Sequence, residues 1–256
     1  MEHALATTAD GRHVGQLTID SLPDLVLLEI FAFYVGRSPK DSLEGIEVWI
    51  ALAHVCQKWG AIVFRSPRCL NLQLLWTDTK REWEMEDIWP PLPIVVYGFD
   101  YITSNADTIV AALEHNDRVH QIKLDHCPSF LFQQVSPVIQ KPFPALTDLA
   151  LEFNSGMVPI VPDSFKFLGG SAPGLRSFSL KGIPFPFPAL RKLLLSAADL
   201  IEVRLWRIPY YEVYISPWEI ATCLSALTRL EEFHLGFGFD RRLLDDNSRL
   251  PPPQTR

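Results

Sequence analysis

The residues whose types could do chemistry fall into a few groups. His115, His120, His126 and Cys127 are donor types that bind zinc, and they lie close together in the chain. A zinc site needs four converging donors, and no second matching group exists elsewhere; His120 and Cys127 also stand at opposite ends of one strand-like segment. The spacing favours surface histidines and a buried thiol over a metal. Glu82, Glu84, Glu86 and Asp87 would be candidates for paired-carboxylate acid and base work. Nothing in that run would lift one carboxyl pKa above another, and the interleaved Trp83 and Trp89 suit a solvated helix face. Gly236-Phe237-Gly238 lacks the third glycine and the following helix that a phosphate site uses, and reads as a turn. No nucleophile, base and orienting group form a recognisable motif. The expectation is a binding protein without catalytic residues, metal or cofactor; the open alternative is an enzyme whose site only folding assembles.

The chain has 256 residues, 48% hydrophobic and 21% charged, which is enough to bury a sizeable core, with a net charge of −7. It offers no lysine and arginine stripe to neutralise a run of phosphates, so nucleic acid is not an expected partner. The longest apolar stretch, Leu25 to Val35, is interrupted by Glu29 and too short to cross a bilayer. Glu2, Asp10 and Arg12 near the start do not make a secretory signal. Cys56, Cys69, Cys127 and Cys223 form no Cys-x-x-Cys pair, as expected of free thiols in a reducing compartment. A cytoplasmic or nuclear location is expected.

Two periodicities position these residues. From Ser21 the spacing is helical: Pro23 suits the first helical position, Asp24 suits the positive helix end, and Leu27, Ile30, Phe31 and Tyr34 share a face. After a loop marked by Gly36, Ser38, Pro39 and Gly45, a second helix carries Val48, Leu52, Val55, Cys56, Trp59, Ile62 and Val63, and Pro67 ends it. Beyond Pro67 a Leu-x-x-Leu-x-Leu template recurs. It is clear at Val119/Ile122/Leu124, Leu146/Leu149/Leu151, Leu175/Phe178/Leu180, Leu200/Val203/Leu205 and Leu230/Phe233/Leu235, and weaker at Cys69/Leu72/Leu74 and Pro91/Ile94/Val96. Successive starts are 22, 28, 27, 29, 25 and 30 residues apart, close to the leucine-rich-repeat period.

Helical segments fall between these strands. Ser104-Asn105-Ala106-Asp107 precedes Ile109, Val110 and Leu113; Ser216-Pro217-Trp218-Glu219 reads as a capping box with proline at the first helical position; and Pro188 to Ala197 reads as helix. Three residues after the last template position, a Cys or Asn turns inward to bond bare backbone. Cys127 and Asn154 occupy that place, while Thr77, Phe99, Ile183, Ile208 and Gly238 depart from it. The expected architecture is α/β: residues 1–16 disordered, 17–66 a helical domain, 67–239 a curved solenoid of about seven parallel strands, and 240–256 a disordered tail. No polar capping unit follows Leu235, which predicts further repeats beyond Arg256.

Leu22-Pro23-Asp24-Leu25 through Ile30-Phe31, followed by Leu52-Ala53-His54-Val55-Cys56-Gln57-Lys58-Trp59, resembles the F-box, over residues 17 to 66. With the repeats after it, the chain looks like the F-box proteins with leucine-rich repeats that are numerous in fungi. The resemblance implies a substrate receptor of a cullin-RING ubiquitin ligase: a Skp-type adaptor held by the F-box, a protein substrate held by the repeats, and no catalytic residues. Carried over by position, the adaptor-facing set is Leu22, Pro23, Leu27, Ile30, Phe31, Val55 and Trp59, about half of which helix packing assigns to the core. A repeat scaffold with no link to ubiquitin, capped by residues 17–66, is the alternative.

Strand alternation places the substrate site on the side opposite the template residues. The outward positions are Gln121, Lys123 and Asp125; Asp148, Ala150 and Glu152; Ser177, Ser179 and Lys181; Glu202, Arg204 and Trp206; and Glu232, His234 and Gly236. Trp206 beside Arg204 is the kind of pair that anchors interfaces, unless Trp206 lies against the loop at Trp218.

Overall fold

The structure is a computed structural model that describes residues 19–36, 48–77, 92–99, 106–153, 161–162, 164–183, 186–209 and 216–238. The chain divides after Asn71 into two compact units. The expected disordered ends, the acidic run from Glu82 to Asp87, the loop from Ser38 to Glu47, Pro91, Ser104, Asn105 and Asn154 lie outside the described residues.

The first unit contains α1 (Asp24–Gly36), α2 (Val48–Ala53) and α3 (Gln57–Arg65). The Pro23 carbonyl accepts from the Leu27 N–H at 3.1 Å, so Pro23 sits one position before the helix rather than at its first residue. Lys58 ties α3 to the start of α1, donating to the Leu22 carbonyl at 2.8 Å and lying 3.6 Å from Asp24. The expected second helix is two helices. The chain turns at His54 and Val55 and extends at Cys56, and Gly60 lets α3 pass against the end of α2, because a Cβ there would fall 3.0 Å from the Ala53 carbonyl oxygen. Leu27, Phe31 and Trp49 are fully buried, with Trp59 against Phe31 at 4.7 Å and Phe64 edge-on to Trp49 at 6.4 Å. The turn at 67–71 belongs to this unit, and Cys69, expected as the first template position, is exposed in it.

The second unit is α/β. Seven parallel strands, β1 (Leu74–Thr77), β2 (Ile94–Phe99), β3 (Val119–Cys127), β4 (Asp148–Phe153), β5 (Ser177–Lys181), β6 (Glu202–Pro209) and β7 (Glu232–Gly238), pair in chain order. The helices α4 (Ala106–Glu114), α5 (Ser129–Ile139), α6 (Phe187–Ser196) and α7 (Pro217–Ala226) lie between them in sequence. Parallel neighbours require a crossover, and here the crossovers carry the second layer of the core. Ile122, Leu124, Leu149, Leu151, Phe178, Leu180, Val203 and Leu205 point into one buried cluster with Ile109, Leu113, Val135, Leu190, Leu193 and Cys223 from the helices. The α6 segment is helix as expected, between Pro186 and Ala197. Ser216 precedes α7, but its side chain makes no capping bond, so Pro217 and the Ser216 carbonyl start this helix without the expected box.

The register of β3 to β7 follows the template, whereas the first two strands slip by two residues. Val96 pairs with Ile122 and Gly98 with Leu124, while Leu74 pairs with Ile94. Gly98 therefore holds the third inward position. A Cβ there would lie 2.9 Å from a Leu124 methyl and 3.0 Å from an Ile109 methyl, so neighbouring side chains fill the space a leucine would take. The slip preserves facing, because strand side chains alternate with period two. Thr77 and Phe99 consequently sit on the outward side rather than at the inward turn place.

Candidate functional site

The outward face is built row by row from the strand pairing. Gln121, Asp148, Ser177, Glu202 and Glu232 form one row, and Lys123, Ala150, Ser179, Arg204 and His234 the next. Glu152, Lys181 and Trp206 form a third row, and on the other side of the β3 register shift Asp125 pairs with Phe99. All the expected substrate-facing residues share this face, spread over β3 to β7.

Most of their charges are matched within the face. Lys181 lies 2.6 Å from Glu152, which also meets His126 Nδ1 at 3.0 Å. Arg204 contacts Glu202 and reaches Glu232 at 3.4 Å, while the Ser177 hydroxyl donates to Glu202 at 3.0 Å. The Thr147 hydroxyl donates to Asp148 at 2.6 Å. Lys123 lies 3.7 Å from Asp125 and stands over the Tyr97 ring, 5.7 Å from its centroid. Burial and, second, the Asp125 charge push the Tyr97 phenol above its ordinary value, so it is neutral at physiological pH.

Two strand irregularities shape the face. His126 and Arg207 adopt left-handed backbone, φ 55° and 53°, at register shifts after Leu124 and Leu205, and Gly182 holds the same place after Leu180 with φ 77°. The extra residue moves the inward turn place: Phe153 and not Asn154 pairs with Cys127, and Phe237 and not Gly238 pairs with Ile208. Cys127 is buried there, and its thiol donates to the Asp125 carbonyl at 3.6 Å. Gly236 and Phe237, expected in a turn, lie in β7. A Cβ at Gly236 would fall 2.7 Å from the Trp206 ring, so the indole rests over this glycine, stacked at 22° beside His234 and 5.8 Å from it. Trp206 thus packs on its own sheet, and Trp218 is 79% exposed. Sequence reasoning missed Tyr97, which lies on a strand whose template is weak, Phe99, hidden by the register slip, and His126, brought to this side by the bulge.

The adaptor-facing set splits. Leu27 and Phe31 are interior, Trp59 is half-buried against Phe31 and Leu22 is half-buried, while Pro23, Ile30 and Val55 are exposed. Leu25 and Phe33 on α1 are 76% and 65% exposed, and Val26 and Tyr34 are also exposed. They were missed because α1 is apolar almost all round, so spacing could not tell its inner side from its outer. A groove between α1 and α3 is lined by Leu25, Leu28, Ala61 and Ile62, with Lys58 and Arg65 beside them.

His115 lies tilted against Trp76, with ring centroids 5.9 Å apart, and His126 meets Glu152, and among the described residues no group of three or more His, Cys, Asp or Glu is placed to hold a metal ion. Among the same residues no helix is long and apolar enough to cross a membrane. No family model matches the chain, and no curated protein sequence matches it.

Proposed function

We propose that this chain is the substrate-recognition subunit of a cullin-RING ubiquitin ligase, an F-box protein with a curved leucine-rich-repeat solenoid. In this reading α1 to α3 hold a Skp-type adaptor, the outward face of the sheet holds a protein substrate, and the chain brings no catalytic residue or cofactor. The observation that carries it is the apolar exterior of α1. Leu25, Val26, Ile30, Phe33 and Tyr34, with Val55 after α2, are exposed apolar side chains, and apolar side chains grouped on one exterior mark interaction surfaces.

The test is capture of a Skp-type adaptor by the full chain, compared with the Pro23→Ala, Ile30→Glu double variant. Ile30 is 42% exposed, so the carboxylate is tolerated in the free protein and becomes buried only in the complex. Burying it unpaired costs about 3 kcal/mol, which weakens capture by more than about a hundredfold. Undiminished capture by the double variant refutes the adaptor assignment. A repeat scaffold with no link to ubiquitin is the second reading, supported by the sheet unit having its own continuous core; it is preferred if wild-type chain retains protein partners but no adaptor.

A further inference from the structure

We propose that Arg207 is the docking point for a carboxylate side chain of a protein partner. This rests on reading the outward sheet face as the partner-binding side, but not on the ubiquitin-ligase assignment. Two bulges on the face are built alike. In each, two residues of one strand stand opposite a single residue of the next: Asp125 and His126 opposite Glu152, and Trp206 and Arg207 opposite Gly236. The second residue of each pair is left-handed, with φ 55° at His126 and 53° at Arg207. At the first bulge the facing residue supplies a carboxylate, and His126 Nδ1 lies 3.0 Å from Glu152. At the second the facing residue is a glycine, and the Trp206 indole fills the space its side chain would take, since a Cβ there would fall 2.7 Å from the ring. The carboxylate that His126 finds on the next strand is therefore missing for Arg207, and position 236 cannot supply it while the indole keeps its seat.

The neighbouring carboxylates of the face are taken. Glu152 holds Lys181 and His126, Glu202 holds Arg204 and the Ser177 hydroxyl, and Glu232 faces Arg204 and His234. Arg207 is exposed and makes no ion pair among the described residues. Its backbone points the same way. At the corresponding place in β5, Gly182 takes φ 77° without penalty, whereas position 207 holds its left-handed angle as an arginine. Backbone strain of this kind gathers at ligand-binding positions. A planar guanidinium, charged throughout the physiological range, offers parallel N–H groups to a carboxylate, the pairing the chain leaves unmade here. The net charge of −7 opposes acidic partners at long range, so recognition depends on this contact pair rather than on steering.

The probe is the tripeptide acetyl-Leu-Glu-Leu-amide, titrated into the isotopically labelled full chain at constant ionic strength beside its Gln and Lys counterparts. Its leucines offer apolar surface to the Trp206 indole, which is 42% exposed. The arginine side-chain N–H signal missing from an Arg207→Gln variant reports the site, and the indole signal missing from a Trp206→Phe variant follows binding in the Arg207 variants. A saturable shift of both signals is expected with the Glu peptide, at an affinity about threefold above that of the Gln peptide, within the range of an exposed ion pair. Arg207→Gln is expected to erase that difference and Arg207→Lys to keep part of it, while circular dichroism stays unchanged. No saturable shift of the Arg207 signal, equal affinity for the Glu and Gln peptides, or preference for the Lys peptide overturns the proposal. Retention of the full Glu preference by Arg207→Gln overturns it as well. Adaptor capture by the same preparation is scored separately, so either reading can fail without the other.

Discussion

Gly182 and Arg207 occupy equivalent places two residues after an inward leucine, and exchanging their residue types is expected to move stability in opposite directions. Gly182 has φ 77°, and a Cβ there would lie 2.6 Å from the Phe153 carbonyl oxygen, a backbone atom that cannot turn aside. Left-handed backbone costs a non-glycine residue about 1–2 kcal/mol. Overpacking against a fixed neighbour adds about 1–3 kcal/mol. Gly182→Ala should therefore destabilise the sheet unit by about 2–5 kcal/mol, a large part of the roughly 5–15 kcal/mol that holds a domain folded. Arg207 already carries the left-handed strain, with φ 53°, and its side chain is exposed. Arg207→Gly relieves about 1–2 kcal/mol and loses about 0.5–1 kcal/mol to the freer unfolded chain, for a net gain of about 0–1.5 kcal/mol. Equilibrium urea unfolding gives both values, provided the slope with denaturant is unchanged between variants. A Gly182→Ala loss under about 0.5 kcal/mol, the scale of an ordinary surface change, or a destabilising Arg207→Gly, would show that these backbone angles are not what fixes the strand ends.

Two further outcomes follow from the titratable groups. Burial pushes the Cys223 thiol up, an effect the nearby Arg191 only partly offsets, so iodoacetamide should label exposed Cys69 first and reach Cys223 and Cys127 only as the sheet unit opens; equal labelling of Cys223 and Cys69 in the native protein would refute the packing. The Tyr97 phenol has a folded pKa above its unfolded value, so the stability it contributes is present below about pH 10 and is lost as pH rises through the folded value. The urea midpoint of wild type should accordingly fall relative to that of Tyr97→Phe as the solution is made alkaline, and a rise relative to the variant would reverse the assigned sign.

What the sequence disclosed follows from burial. Positions that must be apolar to stack one strand and helix on the next repeat their leucines, so the inward residues of β3 to β7, the outward rows and the helix at α6 were readable. Where a neighbour supplies the volume, the signal disappears. Gly98 stands at an inward place because Leu124 and Ile109 fill it, and the register of β1 and β2 was misread by two residues for that reason. Backbone states set by tertiary contacts were equally silent: nothing in the side chains of His126 or Arg207 announces a left-handed residue, and Cys56 gives no sign that it separates two helices. The placement of Trp206 depended on Gly236, a residue thirty positions away that looked like part of a turn.

The order of the strands bears on how this surface can change over generations. Each strand pairs only with the ones before and after it in sequence. The group around Tyr97, Lys123 and Asp125 and the group around Trp206, His234 and Glu232 are separated by β4 and β5, so that β3 and β6 stand about 14 Å apart. Substitutions separated by more than about 7–10 Å with no shared partner act additively. Selection can therefore alter the side chains of one group without disturbing the ion pairs and ring contacts of the other, so the two ends of the face can change independently of each other.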